Sequence, residues 1–291
     1  MNNNETQGGL HKSVINWYPG HMAKTRRIIE EKYKLIDIVY ELVDARMPFS
    51  SKIKDIYDVI RNKPKILIMT KKDLCDMKIT KKWVAYYENL GTKVLLVDLN
   101  NANDFKKIID VTNEIMTSLQ EKREEKGMNS KEIHALVVGI PNVGKSTLIN
   151  KLANRHVAEV GNTPGVTKNV TWLKTPYNIS LLDTPGILWP KLNNNTVAYN
   201  LASLGTIKED VLPIDEVAIY ILETLFKYYP AILKERYQID SIKDIEEVYE
   251  KIGQNIGATK NGEVDYTRVS KKIINDLRME LIKNITFDQN I

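Results

Sequence analysis

The sequence contains little cysteine and no long apolar segment. Its 291 residues include one cysteine, Cys75, and no apolar run approaching the roughly 20 residues that span a membrane. A single cysteine excludes an internal disulfide framework and a cysteine-rich zinc site, and it favours a reducing, intracellular setting. Residues 1–12, MNNNETQGGLHK, lack the apolar segment of a signal peptide. We therefore expect a cytoplasmic protein that does not associate with membranes.

The composition is that of an ordinary globular protein with one or two domains, since 43% of the residues are hydrophobic and 27% are charged. The net charge of +5 is unevenly distributed, because residues 201–291 carry 12 Lys and Arg against 16 Asp and Glu. The densest basic segment, residues 61–82, has eight basic and two acidic residues. This segment predicts either a contact surface for a phosphate-rich partner or a solvated lysine-rich surface.

Short β-branched and aliphatic runs alternate with helical stretches. The runs are residues 36–45, 65–70, 93–98, 134–139 and 179–184. Nearly continuous apolar strands separated by helices predict an α/β fold with a parallel sheet covered by helices on both faces. Ligands of such folds bind at the carboxyl ends of the strands, so the motifs that follow these runs are the first candidates for a site.

Two breaks divide the chain. Residues 121–132, EKREEKGMNSKE, are predicted to be a helix end followed by a surface connection. Beyond the asparagine-rich segment 192–196 only helical spacing remains, including a helix that begins near Pro213 and a last helix over residues 267–285. We therefore predict a flexible extension (1–13), an α/β domain (14–192) and a small all-helical domain (195–291).

A phosphate-binding loop is predicted at Gly139–Ser146, GIPNVGKS, between an apolar strand and a helix. In such a loop the backbone N–H groups point at phosphate oxygens, and the positive end of the next helix adds to their effect. Lys145 is expected to reach the β and γ phosphates, and the Ser146 hydroxyl to bind Mg²⁺. The nucleotide-contacting residues of this loop are Asn142, Val143, Gly144, Lys145, Ser146 and Thr147.

Two later motifs strengthen the prediction of a magnesium nucleotide. DTPG, residues 183–186, supplies the Asp183 carboxylate to the magnesium shell and the Gly186 N–H to the γ phosphate. TPGVTK, residues 163–168, offers Thr167 as a second hydroxyl for the metal. Alone, Thr167 would be an ordinary loop threonine; its place between the two other motifs favours the functional interpretation.

The motif TKKD, residues 70–73, predicts guanine as the base. Asp73 can accept hydrogen bonds from guanine N1–H and N2–H₂ together, and the stem of Lys71 can lie over the ring. Thr70 stands where GTPases usually have asparagine, which braces the loop, so we expect weaker guanine affinity. The loop near Asn100 is expected to back the base. Standing alone, TKKD would be a lysine-rich turn, and an ATPase is the alternative that Thr70 leaves open.

The guanine motif precedes the phosphate loop, which is the reverse of their order in an ordinary small GTPase. The domain therefore looks circularly permuted, with residues 121–132 as the join; permutation is tolerated because domain termini usually lie close together at the surface. In this order, and with the tail NLASLGTIKED, the motifs resemble the bacterial ribosome biogenesis GTPase A family. The other motifs that carry the resemblance are NWYPGHMAKTRR, VDARMPFSS, TKKD, GIPNVGKS, TPGVTK and DTPGIL.

The resemblance implies a P-loop GTPase of the cytosol. The motifs predict GTP and Mg²⁺ as its ligands, and we expect a monomer. The resemblance also implies binding to an immature large (50S) ribosomal subunit, through rRNA and ribosomal proteins, late in assembly, and faster hydrolysis in the bound state. The alternatives are a permuted GTPase of small-subunit assembly and a nucleotide-gated RNA-binding factor with negligible hydrolysis.

The residue that orients the attacking water is missing from its usual place. Many GTPases have glutamine just after DTPG, but this chain has Ile187, which cannot hydrogen-bond water. Restoring such a group is worth about 4–7 kcal/mol of barrier. His21, after the Pro-Gly turn, is either a turn histidine packed beside Trp17 and Tyr18 or the replacement. The resemblance favours the second interpretation, and makes His21, Lys145, Thr167 and Gly186 the catalytic candidates.

Two smaller hypotheses concern Asn142 and the basic residues after His21. Asn142 resembles the asparagine of potassium-activated GTPases, which helps to hold K⁺ near the phosphates; otherwise it only caps the loop. Lys24, Arg26 and Arg27 either contact rRNA phosphates or form a solvated helix face.

Overall fold

The structure is a computed structural model that describes residues 21–53, 57–60, 62–129, 131–155, 172–184, 195–207, 212–260 and 263–291, with only the backbone at 21–25, 57 and 260. The helices are α1 (His21–Lys32), α2 (Tyr57–Ile60), α3 (Met77–Asn89), α4 (Ala102–Glu124), α5 (Lys145–Ala153), α6 (Asn195–Ser203), α7 (Ile214–Tyr228), α8 (Pro230–Tyr237), α9 (Ile245–Asn255) and α10 (Tyr266–Arg278). The strands are β1 (Ile38–Asp44), β2 (Lys65–Thr70), β3 (Lys93–Leu96), β4 (Ile133–Gly139), β5 (Trp172–Lys174), β6 (Ile179–Asp183), β7 (Thr259–Lys260) and β8 (Glu263–Val264). No described helix is both long and apolar enough to cross a membrane.

A six-stranded sheet in the order β3-β2-β1-β4-β6-β5 forms the centre of the α/β part. All neighbouring strands are parallel except β5, which is antiparallel to β6. The five predicted strands are confirmed, whereas β5 was not predicted from the sequence. Its three residues are only partly buried or exposed, so it lacks the apolar run that identified the others.

Helices cover both faces of the sheet, as predicted. Alternate residues of β2 point to opposite faces, and each face has its own hydrophobic cluster. Leu67 packs in the cluster that contains Trp83 of α3, and Ile66 packs in the cluster that contains Ile108 of α4. Burial on both sides explains why the central strands are almost continuously apolar.

Strand β4, which carries the phosphate loop, lies in the middle of the sheet. Strand β4 pairs with β1 on one side and with β6 on the other. The segment that precedes it, 121–129, is largely exposed, which agrees with a surface join. Gln120 closes this join, since its amide donates to the Lys131 carbonyl at 2.7 Å and accepts from the Lys131 N–H at 2.9 Å. These two hydrogen bonds therefore hold the last turns of α4 close to the start of β4.

The region from Asn195 onward is mainly helical, but two details of the prediction are wrong. A short hairpin, β7–β8, interrupts the helices, and the Asn-Gly pair in its connecting sequence is a hairpin signal. The last predicted helix extended to residue 285, whereas α10 ends at Arg278 and Glu280 has a left-handed φ of 60°. A non-glycine residue in that conformation does not continue a helix.

Residues 285–288 leave the helical region and lie along the loop that follows β1. The Phe287 N–H donates to the Arg46 carbonyl at 2.6 Å. One carboxylate oxygen of Asp288 accepts from the N–H groups of Phe49 and Ser50 at 2.7 and 2.8 Å, and the other accepts from the Ser50 hydroxyl. The Trp83 indole donates to the Asp288 carbonyl at 2.7 Å. These bonds fix the helical region to the α/β part.

Candidate nucleotide-binding site

The phosphate loop runs from the end of β4 to the start of α5. Gly144 precedes the helix with a φ of +92°, which favours glycine. At Gly139 a Cβ atom would lie 2.8 Å from the Leu42 carbonyl, so the loop and β1 approach too closely for a side chain. The first N–H groups of α5 have no partner within the helix, and they form the positive end at which a phosphate can bind.

Lys145 and Asp183 place a cation and a carboxylate at this loop. The Lys145 ammonium donates to the Ile140 carbonyl at 2.8 Å, and its burial lowers its pKa to about 8. Burial raises the Asp183 pKa to about 6, although the positive charge of Lys145 acts in the opposite direction. Asp183 Oδ1 is buried and has no hydrogen-bond partner within the described part of the chain. A buried carboxylate oxygen of this kind fits a magnesium ion or one of its water molecules.

The remaining magnesium candidate in the described loop is Ser146, in the first turn of α5. It is partly buried, as is Thr147 beside it. The described residues contain no cluster of three His, Cys, Asp or Glu side chains that could hold a metal alone. Mg²⁺ commonly binds one or two protein oxygens together with substrate phosphates, so Ser146 and Asp183 suit the ion of a magnesium nucleotide.

Thr70 connects the guanine motif to the phosphate loop. Its hydroxyl lies 2.7 Å from the Val143 carbonyl and 3.1 Å from the Val43 carbonyl, and the residue is fully buried. The replacement of asparagine by threonine predicted weaker guanine affinity from the sequence, and this stays a prediction. In the structure the shorter threonine side chain still contacts the phosphate loop.

The other guanine-motif residues lie at the same end of the sheet. Lys71 has a left-handed φ of 58°, and its ammonium lies 3.5 Å from Asp44 Oδ2. Asp73 is exposed and is therefore accessible to a base. The structure thus places the lysine stem and the carboxylate on one loop, directly after β2.

The loop after β3 completes the arrangement. Leu99 Cδ1 lies 3.3 Å from the position of a Cβ atom at Gly144, so this loop contacts the phosphate loop. Asn100 is exposed beside it. A cavity of about 660 Å³ is bounded by Leu99 and Asn100 on one side and by Thr147 and Lys151 of α5 on the other. Its volume is within the range of small-molecule sites.

Asn142 has a contact that the sequence did not predict. Its side-chain N–H donates to the Gly205 carbonyl at 2.5 Å, in the turn after α6. Asn142 itself is left-handed, with a φ of 67°. The phosphate loop is therefore in direct contact with the helical region, through the tail motif NLASLGT that carried part of the resemblance.

Several candidates fall where the structure gives no side-chain position. Thr167, Gly186 and Ile187 lie outside the described residues. His21 begins helix α1, as the Pro-Gly signal predicted, but its side chain and that of Lys24 are also outside the described part. Arg26 is exposed and pairs with Glu30 at 3.2 Å, and Arg27 is exposed.

Sequence reasoning missed two buried charged residues at the end of β1, Asp44 and Arg46. Both are at most 2% exposed and form a two-bonded ion pair. The signal was available, because the charged residues of VDARMP directly follow an apolar strand at the edge where ligands bind.

Comparisons with known proteins indicate the family of the chain. A family model described as 50S ribosome-binding GTPase matches residues 134–255. The Ribosome biogenesis GTPase A of Priestia megaterium is 44% identical over 278 residues, which cover 94% of this chain and 96% of that protein. That of Bacillus cereus is 43% identical over 94% of both chains. The structure of GNP-bound YlqF from T. maritima has a TM-score of 0.62 at 24% identity and covers 91% of this chain and 97% of that chain.

A mainly parallel sheet with a phosphate loop after the central strand β4 and a guanine motif after β2 defines a P-loop GTPase, with its motifs in permuted order. The enzyme hydrolyses GTP, and enzymes of this class usually require Mg²⁺. Its identity to the relatives over nearly the whole chain shows the family: the chain belongs to the ribosome biogenesis GTPase A family.

Proposed function

We propose that this GTPase binds the immature large (50S) ribosomal subunit late in its assembly and hydrolyses GTP faster in that complex. The GTPase part of the proposal is supported by the contact between the guanine loop and the phosphate loop, through Thr70 and Val143. The ribosomal part is supported by the similarity of the chain to ribosome biogenesis GTPases. The description of the matching family names the 50S subunit. The protein would then act as a monomer in the cytoplasm, where bacterial ribosomes are assembled.

We further propose the roles of the nucleotide-site residues. Asp73 reads guanine, the Lys71 stem covers the ring and Asn100 backs it, while residues 142–147 hold the phosphates. Ser146, Thr167 and Asp183 surround Mg²⁺, and Gly186 responds to the γ phosphate. In this proposal residues 14–192 form the GTPase domain, residues 195–291 form the helical domain, and residues 1–13 form an extension.

His21 is proposed to orient the attacking water when the ribosomal subunit is bound, since Ile187 cannot. Helix α1 begins at His21, so a change in this helix would move the side chain. Single-turnover hydrolysis with and without subunits tests the role. His21→Ala should remove the stimulation but leave GTP affinity intact, and retained stimulation would refute it.

A basic surface on α3 is proposed to contact rRNA phosphates. Lys78, Lys81 and Lys82 are exposed, and no described carboxylate lies within ion-pair distance of them. Phosphate contacts of this kind position a protein without reading sequence. Lys24 and Arg27 of α1 are proposed as a second contact.

Co-sedimentation tests the partner. The full-length protein is mixed with 50S precursors, mature 50S subunits or 30S subunits, in the GDP form and with a non-hydrolysable GTP analogue, and hydrolysis is measured alongside. We expect the GTP-analogue form to sediment with the 50S precursors and GTP turnover to rise with them. Preferential binding to 30S subunits would replace the proposal by a role in small-subunit assembly.

A further inference from the structure

The motif VDARMP, residues 43–48, has no role in the function proposed so far, yet it builds a charged cluster under the guanine loop. Asp44 and Arg46 are buried, with exposures of 1% and 2%. The guanidinium donates to both carboxylate oxygens, with Nε–Oδ1 at 3.0 Å and Nη2–Oδ2 at 2.8 Å. The Arg46 backbone N–H adds a third bond to Oδ1 at 2.9 Å. The carboxylate is therefore held in one orientation.

The sheet places this carboxylate beside the guanine motif. Asp44 is the last residue of β1 and pairs in register with Thr70, the last residue of β2. Lys71 then turns into a left-handed conformation, and its ammonium lies 3.5 Å from Asp44 Oδ2, the oxygen that also accepts from Arg46. The ammonium is thus directed back towards the sheet edge, while Asp73 remains exposed two residues later.

We infer that Asp44 is a positioning residue for the nucleotide base: it anchors the Lys71 ammonium so that the lysine stem covers the guanine ring, and Arg46 holds Asp44 in place. This inference rests on the proposed role of Lys71. A free lysine side chain has several rotatable bonds, and fixing it on binding costs conformational entropy. An anchor that is already present in the protein removes part of that cost from the binding step.

Arg46 also connects the anchor to the rest of the base site. Burial lowers the pKa of Arg46, but the charges of Asp44, Glu280 and Asp73 outweigh it and raise that pKa above its ordinary value. Glu280 stands just after α10 in the helical region. Burial lowers the pKa of Lys71 and the Arg46 charge acts in the same direction, whereas the Asp44 and Glu280 carboxylates oppose this shift.

A matched control separates positioning from plain stabilisation. Glu41 lies on the same strand and is fully buried. Its carboxylate forms an ion pair at 2.9 Å with Lys52, which is not part of the guanine motif. Glu41→Gln and Asp44→Asn both neutralise a buried carboxylate of β1. Only Asp44→Asn removes the negative charge that pairs with Lys71.

The experiment measures binding of a fluorescent GDP analogue and thermal unfolding for the full-length protein and for Asp44→Asn, Glu41→Gln, Lys71→Ala and the double variant Asp44→Asn/Lys71→Ala. We expect Asp44→Asn to weaken binding about tenfold, the size expected for losing one charged contact. The double variant should bind no more weakly than Lys71→Ala, because Asp44 acts through Lys71. Glu41→Gln should lower the unfolding temperature but leave the affinity within about twofold.

Three outcomes overturn the inference. If Asp44→Asn binds within twofold of the parent while Lys71→Ala binds weakly, the positioning role is wrong and the base site stands. If the losses of the single variants multiply in the double variant, Asp44 does not act through Lys71. If Lys71→Ala binds normally, the proposed base role and this inference both fail. Should Asp44→Asn not fold, Asp44→Asn/Arg46→Met removes both charges of the pair and is expected to show the same loss of affinity.

Discussion

The Thr70 hydroxyl lies 2.7 Å from the Val143 carbonyl, so the first residue of the guanine motif contacts the middle of the phosphate loop. The two motifs are 73 residues apart in the chain, and one buried hydrogen bond connects the part of the site that selects the base to the part that holds the phosphates. Threonine can therefore replace asparagine here without losing the connection.

Thr70→Val should weaken GDP and GTP binding by about fivefold to tenfold, because the buried Val143 carbonyl loses a donor worth roughly 1 kcal/mol. Thr70→Asn should bind at least as tightly as the parent. Fluorescence titration with a GDP analogue measures both. Thr112→Val is the control, since the buried Thr112 hydroxyl donates to the Ile108 carbonyl at 2.6 Å within α4. If both valine variants lose the same affinity, Thr70 acts only through stability.

Asp73→Asn should weaken guanine nucleotide binding roughly a hundredfold, because guanine N1–H and N2–H₂ lose a carboxylate acceptor. It should improve binding of xanthosine nucleotides, in which a carbonyl replaces the guanine amino group and can accept from the new amide. Competition titrations with GDP, XDP and ADP measure the change. Asp76→Asn is the matched control: Asp76 caps α3, and asparagine caps a helix equally well. Unchanged GDP preference in Asp73→Asn would contradict the assignment.

Most of the sheet was predictable because its central strands are buried on both faces and have a strong apolar pattern. The edge strand β5 was not, since Trp172–Lys174 is short and only partly buried. In the site, the loop motifs identified Lys145 and Asp183 because their chemistry depends on local spacing. Contacts between distant segments, such as Asn142 with Gly205, depend on tertiary packing and leave no local pattern in the sequence.

Asn142 predicts a dependence on the monovalent cation. Its amide N–H donates to the Gly205 carbonyl, and the amide oxygen of asparagine is a group that can coordinate a cation. Hydrolysis should be about tenfold faster in KCl than in NaCl, because a bound K⁺ stabilises the developing charge. Asn142→Ala should remove the difference. Equal rates of the parent protein in the two salts would exclude a role for K⁺.

The ion pair of Asp44 predicts acid sensitivity. Burial opposes ionisation, but the charges of Arg46 and Lys71 outweigh it and lower the Asp44 pKa to about 2, below its ordinary 3.8. A lowered pKa stabilises the fold above the ordinary value, and this stability is lost as the pH falls through the folded value. The contribution is on the order of 2 kcal/mol. Urea unfolding between pH 5 and 2 should show it in Glu41→Gln and not in Asp44→Asn; equal slopes would contradict the shift.

Asp288→Ala should destabilise the protein by about 3 kcal/mol, because the buried N–H groups of Phe49 and Ser50 lose their acceptor. Hydrogen exchange should show faster exchange at these two amides. Asp240→Ala is the control, because Asp240 is 69% exposed and pairs only with Lys234 among the described residues. Slow exchange at Phe49 and Ser50 in Asp288→Ala would show that other contacts hold the loop.

The hydrogen bond between Phe49 and Asp288 can form only after nearly the whole chain has been synthesised. The two residues are 239 positions apart. At about 5–20 residues per second, a ribosome adds Asp288 roughly 10–50 s after Phe49. During this interval the loop after β1 lacks its Asp288 acceptor, although β1 and β2, the strands on either side of it, are both synthesised long before Asp288. The guanine half of the site, which follows this loop, is therefore made early and completed late.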